Sequence, residues 1–124
     1  MKQLSIQFYS AFKDDFDKLG IDVIRVYNTL TKYKSRIVED KDAVAIYALI
    51  TDSSLSDLVS GKKSLKDVFG LLEENGDNVH FLMCVAKGTG SLKRLIDKVR
   101  GNTVSWFKPN HNLVVFKRRQ LCHL

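Results

Sequence analysis

The sequence contains very little proline and cysteine. Pro109 is the one proline in 124 residues, and the two cysteines are Cys84 and Cys122. An ordinary apolar fraction with so little proline is not the composition of a disordered chain. Cys84 in a predicted core strand and Cys122 in the tail do not suggest a disulfide framework or a metal cluster. This cysteine usage favours a reducing, cytoplasmic setting.

Long apolar runs are also missing. No stretch approaches the length that a membrane-spanning helix needs, so we expect no membrane span. Lys13, Asp14, Asp15 and Asp17 interrupt the region where a signal peptide would need an apolar block. The length predicts one domain over residues 1–124, with N-terminal helices in 1–37 and a sheet core in 43–119.

Acidic residues are scarce in the C-terminal third. Residues 87–124 contain nine Lys or Arg and the single acid Asp97, whereas residues 1–86 contain eleven bases and thirteen acids. Such an asymmetry favours an anionic partner, either a phosphorylated cofactor or nucleic acid. A soluble basic surface without a partner is the alternative. For nucleic acid, the candidate phosphate contacts are Lys93, Arg94, Lys98, Arg100, Lys117, Arg118 and Arg119.

The most informative stretch lies in the middle of the chain. Residues 79–86 form an unbroken apolar run that predicts a strand buried on both faces. Gly88-Thr89-Gly90 follows, and then apolar positions at helical spacing predict a helix over 91–100 with Ser91 as its N-cap. A strand, a glycine turn and a helix N-terminus direct N–H groups at one spot, which suits an anion such as phosphate. A plain tight turn is the alternative.

The rest of the chain alternates helices and strands. Helical spacing predicts one helix from Ser5 to Gly20 and another from Asp22, and Ser64 is placed at the start of a later helix. Glu39–Asp42 is predicted to be a polar turn. Strand signals lie at 43–50, 79–86, 103–107 and 113–116, the last two as an antiparallel hairpin. This order predicts an α/β sandwich with a mixed central sheet flanked by helices.

The strand, the glycine turn and the helix together resemble the core of the Gcn5-related N-acetyltransferase (GNAT) fold. In that family a Q/R-x-x-G-x-G/A loop holds the pyrophosphate of acyl-coenzyme A through backbone N–H groups. Gly88-Thr89-Gly90 fills the G-x-G part, whereas Val85 stands at the Q/R position. The resemblance implies a GNAT-like sandwich and acyl-coenzyme A as cofactor. The residues then expected around its phosphates are Lys87, Gly88, Thr89, Gly90, Ser91 and Lys93.

A looser likeness is to the toxin-activating lysine-acyltransferase branch of the same fold. Residues 42–47 and 76–81 are similar to that branch in layout. The branch uses a His near its N-terminus and an Asp in the strand before the glycines. This chain has no His before His80, and the strand position falls at about Met83, so the branch's chemistry is not carried over. Small GNAT-like proteins of this build are similar to ones carried by phages and mobile elements.

Groups able to move protons are few. Acyl transfer needs a base for the acceptor amine and an acid for the leaving thiolate. His80 is the candidate for a titrating group, and Tyr47 or Ser105 is the candidate proton donor. Two hypotheses follow: a small GNAT-like acyltransferase using acyl-coenzyme A, or a non-catalytic protein on the same scaffold. The second would bind nucleic acid or an acidic protein partner through the basic C-terminal third.

Overall fold

In a computed structural model, residues 2–88, 90–108 and 110–117 are described, without the side chains of Leu65 and Val68. Within these ranges five strands form one mixed sheet in chain order, flanked by helices. The strands are β1 (Ile37–Asp40), β2 (Ala43–Ile50), β3 (Asn78–Ala86), β4 (Thr103–Phe107) and β5 (Leu113–Lys117). The predicted α/β class with a mixed sheet is confirmed at this level.

One pair of strands in the sheet is parallel. β3 pairs with β4 in parallel, whereas β1–β2, β2–β3 and β4–β5 are antiparallel. Parallel neighbours need a long crossover connection, which here contains helix α6 (Ser91–Lys98). The chain therefore runs from the end of β3 through the glycine loop into α6, and then back to β4.

The other helices lie before and between the first strands. They are α1 (Lys2–Ala11), α2 (Lys13–Leu19), α3 (Val23–Lys32), α4 (Asp52–Ser60) and α5 (Val68–Leu71). The single helix predicted from Ser5 to Gly20 is wrong, because α1 ends at Ala11 and α2 starts at Lys13. Ser5 lies inside α1, where its buried hydroxyl donates to the Lys2 carbonyl oxygen at 2.8 Å rather than capping the helix.

Residues 39–42 do not form only a turn. Ile37–Asp40 is strand β1, which forms an edge hairpin with β2 and pairs Glu39 with Val44 and Asp40 with Ala43. The predicted polar turn is therefore wrong for its first two residues. Acidic side chains are tolerated there because an edge strand has one side open to solvent.

Two apolar layers cover the two faces of the sheet. On one face Ile46 and Met83 pack with buried residues of the N-terminal helices, including Phe8 and Leu30. On the other face Val79, Phe81 and Val104 pack with Leu95, Ile96 and Val99 near α6. No helix among the described residues has the length and apolar content to cross a membrane.

Candidate functional site

Strands β3 and β4 separate partway along their length. Their ladder joins Val79–Phe81 to Val104–Trp106, but β3 continues to Ala86. Along the β2 edge, Met83 pairs with Ile46 and Phe81 with Tyr47. Leu82 is thus an extra residue in a β-bulge, a feature that bends a strand and increases its twist. Beyond Phe81, within the described part of the chain, the β4-facing edge of β3 has no ladder partner.

Where the two strands separate, they leave a cavity of about 210 Å³ between them. We call it the interstrand slot. It passes between the two layers, because Phe12 lies on the side of the N-terminal helices and Leu92 belongs to α6. Most of its wall is apolar, and three polar side chains complete it. The lining residues are Phe12, Asp15, Phe81, Leu82, Cys84, Ala86, Leu92, Trp106, Phe107, Lys108 and His111.

Two of the polar residues, His111 and Asp15, are hydrogen-bonded to each other. His111 Nε2 lies 2.9 Å from Asp15 Oδ1, with the imidazole 58% and the carboxylate 21% exposed. His111 lies in the β4–β5 turn with a positive φ of 67°, and its N–H donates to the Lys108 carbonyl oxygen. Sequence reasoning missed this pair because its members are 96 residues apart in the chain. A histidine in a short hairpin turn was the only available signal.

Cys84 lies on the wall of the slot and is mostly buried. Burial raises the pKa of its thiol to about 11. Because the thiolate is the reactive form of cysteine, this environment suppresses nucleophilic chemistry. Cys84 is therefore part of the apolar wall rather than a reactive group.

The glycine loop already contains an anion that belongs to the chain itself. A Cβ on Gly88 would lie 2.4 Å from Asp42 Oδ2, so that carboxylate packs directly against the loop. Arg94 bridges two acids, with Nη2 at 2.7 Å from Asp42 Oδ1 and Nε at 2.6 Å from Asp40 Oδ2. Hydrogen bonds from Ser91 and Arg94 lower the pKa of Asp42. The backbone N–H of Lys41 and the Arg94 guanidinium lower the pKa of Asp40.

The residues predicted to hold a cofactor are close in sequence but differ in accessibility. Lys87, Gly88, Gly90 and Lys93 are exposed, whereas Ser91 is buried and accepts a hydrogen bond at 3.0 Å from the Gly88 N–H. Gly90 has a φ of 80°, which requires glycine-like freedom. Thr89, the middle residue of the predicted motif, lies outside the described residues.

The three predicted catalytic residues are not all brought together. His80 Nδ1 and Ser105 Oγ are 2.8 Å apart in the core, and both side chains are 0% exposed. The His80 ring meets Phe107 edge-on at 5.6 Å, and its Nε2 has no partner among the described residues. Burial lowers the pKa of His80 to about 4. Tyr47 packs on the opposite face of the sheet, with the Arg36 guanidinium 6.0 Å from its ring.

The basic third of the chain is partly neutralised by acids from the other two thirds. Arg94 is paired with Asp40 and Asp42, and Lys98 Nζ lies 3.7 Å from Asp40 Oδ1 and donates to the Glu39 carbonyl oxygen at 2.7 Å. The other described members of the predicted set, all exposed, are Lys93, Arg100 and Lys117. Arg118 and Arg119 lie outside the described residues. The excess of positive charge in residues 87–124 is therefore partly offset on the folded surface by acidic residues from earlier in the chain.

Comparisons of this chain with protein-family models, with curated proteins and with solved structures gave no match. The features of the molecule that bear on its function are the interstrand slot, the glycine loop and the hydrogen-bonded pair of Asp15 and His111.

Proposed function

We propose that this protein is a small GNAT-like acyltransferase that binds acyl-coenzyme A across the interstrand slot and the glycine loop. The observation that carries the proposal is the separation of β3 from β4, which creates a narrow apolar slot beside the start of α6. Ala86 and Leu92 line the slot and flank the loop in sequence. A ligand in the slot could therefore extend to the loop without crossing the protein.

The shape and chemistry of the slot suit an extended acyl-pantetheine arm. Ligand pockets commonly enclose about 300–1,000 Å³, so a slot of about 210 Å³ favours a thin chain over a ring system. Past Phe81 the edge of β3 carries backbone N–H and C=O groups without a ladder to β4. An extended ligand with amide groups can pair with such an edge as an added strand does. The pantetheine arm has two amides, and the apolar wall would surround its acyl end.

The phosphates would lie at the loop, where Asp42 now provides the negative charge. The positive end of a helix dipole attracts anions, and phosphate carries more charge than a carboxylate. We infer that bound phosphate displaces Asp42 from Gly88 and takes over its contact with Arg94. Lys87 and Lys93, which flank the loop in sequence, are exposed. Asp42→Asn should then increase affinity for coenzyme A, since it weakens the internal competitor.

The proposal is tested by calorimetric titration of coenzyme A and acetyl-coenzyme A. Wild-type protein should bind both, and Ala86→Phe should weaken binding at least tenfold by filling the rim of the slot. Val59→Phe, a matched change on an exposed position of α4, should leave affinity unchanged. Asp42→Asn should tighten binding severalfold, whereas the charge-matched control Asp77→Asn should not.

Absence of binding at millimolar coenzyme A would overturn the proposal. If Ala86→Phe and wild type bind coenzyme A with equal affinity, the ligand does not bind in the slot. In either case, a gel-shift series with DNA and RNA at low salt tests the alternative. Phosphate contacts from the exposed bases would give sequence-independent shifts that weaken steeply with salt.

A further inference from the structure

Three cavities among the described residues meet at the Asp15–His111 pair. The first is the interstrand slot. The second, of about 320 Å³, adds Lys18, Ser64 and Lys66 to the pair. The third, of about 540 Å³, follows the break between α1 and α2. The pair therefore lies where the end of the slot opens to wider, solvent-connected space, so two reactants entering from different sides would meet there.

The geometry of the pair determines which ring nitrogen is free. With Nε2 at 2.9 Å from Asp15 Oδ1, the arrangement assigns a proton to Nε2, which donates it to the carboxylate. In the neutral ring Nδ1 then has no proton and can accept one. A carboxylate that bonds one imidazole nitrogen also holds the ring in place and stabilises the imidazolium.

The backbone at His111 is an independent observation. A φ of 67° in a residue other than glycine is uncommon and costs free energy, and such residues cluster at functional sites. Asn110, whose type tolerates the left-handed region better, is the preceding residue, and its side chain accepts from the Asn112 N–H at 3.1 Å. The backbone strain of the turn therefore lies at the residue that reaches Asp15.

We propose that His111 is a catalytic base of the acyl transfer and that Asp15 is its positioning residue; this assignment rests on the proposed function. The acceptor amine reaches the thioester carbonyl carbon from the second or third cavity. Its lone pair forms the new C–N bond, and His111 Nδ1 takes the amine proton. The C–S bond breaks with its electron pair on sulfur, and the imidazolium returns the proton to that thiolate. Protons and electrons balance without any further reactant.

The test measures thiol release from saturating acetyl-coenzyme A, with glycinamide as the acceptor amine. Wild-type protein should release thiol faster than buffer alone. His111→Gly should slow release by about 10²-fold or more, because glycine accepts the positive φ but carries no imidazole. Free imidazole should restore part of the lost rate in His111→Gly, which a purely structural role of His111 would not produce. Asp15→Asn should slow release while coenzyme A affinity stays unchanged, because an amide does not stabilise the imidazolium as a carboxylate does. Melting temperatures of both variants should stay near that of wild type, with His111→Asn as a second variant suited to the same backbone.

Coenzyme A titrations on the same samples separate the two proposals. If wild-type protein binds coenzyme A but releases thiol no faster than buffer, or if His111→Gly matches wild type, the His111 assignment is overturned and the binding proposal stands. If coenzyme A does not bind, the proposed function fails and the assignment fails with it. Equal affinities with a rescuable rate loss would support both.

Discussion

Acidification should destabilise the fold through His80. The side chain is fully buried, and its Nδ1 lies 2.8 Å from Ser105 Oγ. Burial lowers its pKa from the ordinary value near 6.5 to about 4. The unfolded chain therefore binds a proton at a higher pH than the folded chain does. The contribution of neutral His80 to the free energy of unfolding is fully present above about pH 6.5. It decreases as the pH drops below that value, and its loss is complete once the pH is below about 4.

The gap between the two pKa values sets the size of this effect. A difference of about 2.5 pH units at about 1.36 kcal/mol per unit corresponds to about 3 kcal/mol in full. Between pH 7 and pH 5 the loss should be about 2 kcal/mol by the same linkage. Since domains are stable by only about 5–15 kcal/mol, this is a large fraction. With an unfolding entropy of about 2.1 cal/mol/K per residue, the melting temperature should fall by about 7 °C.

Urea unfolding at pH 7 and pH 5, followed by the fluorescence of Trp106, measures this loss. The control is the double variant His80→Leu/Ser105→Ala, which removes the titrating ring together with the hydroxyl that contacts it. His111 and His123 remain in the variant, so the two proteins differ only at residues 80 and 105. The variant should lose much less stability than wild type over this pH interval. An equal loss in the two proteins would refute the assignment of the effect to His80.

Three further outcomes follow from the packing. Gly76→Ala would place a Cβ 2.1 Å from a carbonyl oxygen of β2, whereas Gly70→Ala meets nothing within 4 Å. Urea unfolding should show a loss of about 3 kcal/mol for the first and none for the second, and similar values would contradict the close approach of Gly76 to β2. In a Cys122→Ser background, Cys84 should react with a thiol reagent about 100-fold more slowly than an exposed cysteine, because its pKa is raised to about 11; a rate near that of free cysteine would show that the slot wall is open. Arg94→Met should raise the pKa of the two carboxylates that the guanidinium bridges, and unchanged carboxyl titrations by NMR would show that the bridge does not form in solution.

Local patterns predicted the central elements closely. The strand predicted at 79–86 is found at 78–86, and the one at 103–107 is found with those bounds. The helix predicted over 91–100 is found at Ser91–Lys98, and the predicted N-cap is wrong, because Gly90 occupies that position and Ser91 is the first helical residue. These segments have strong apolar periodicity and clear stop signals, so the residues nearby in sequence suffice. The short strand at 37–40 was missed because its acidic residues indicate a turn and only pairing with β2 makes it a strand. The break after Ala11 was missed because the spacing of the N-terminal phenylalanines continues across it.

The candidate site divides in the same way. Local sequence specifies the order of strand, glycine loop and helix, since each part depends on residues next to it. Tertiary packing brings Asp42 against Gly88, pairs Arg94 with two acids, and places Asp15 within hydrogen-bond distance of His111 beside the slot. These contacts join residues far apart in the chain, and no periodicity in the sequence encodes them. They depend on how the helices pack on the sheet, because packing sets which distant side chains are within hydrogen-bond distance.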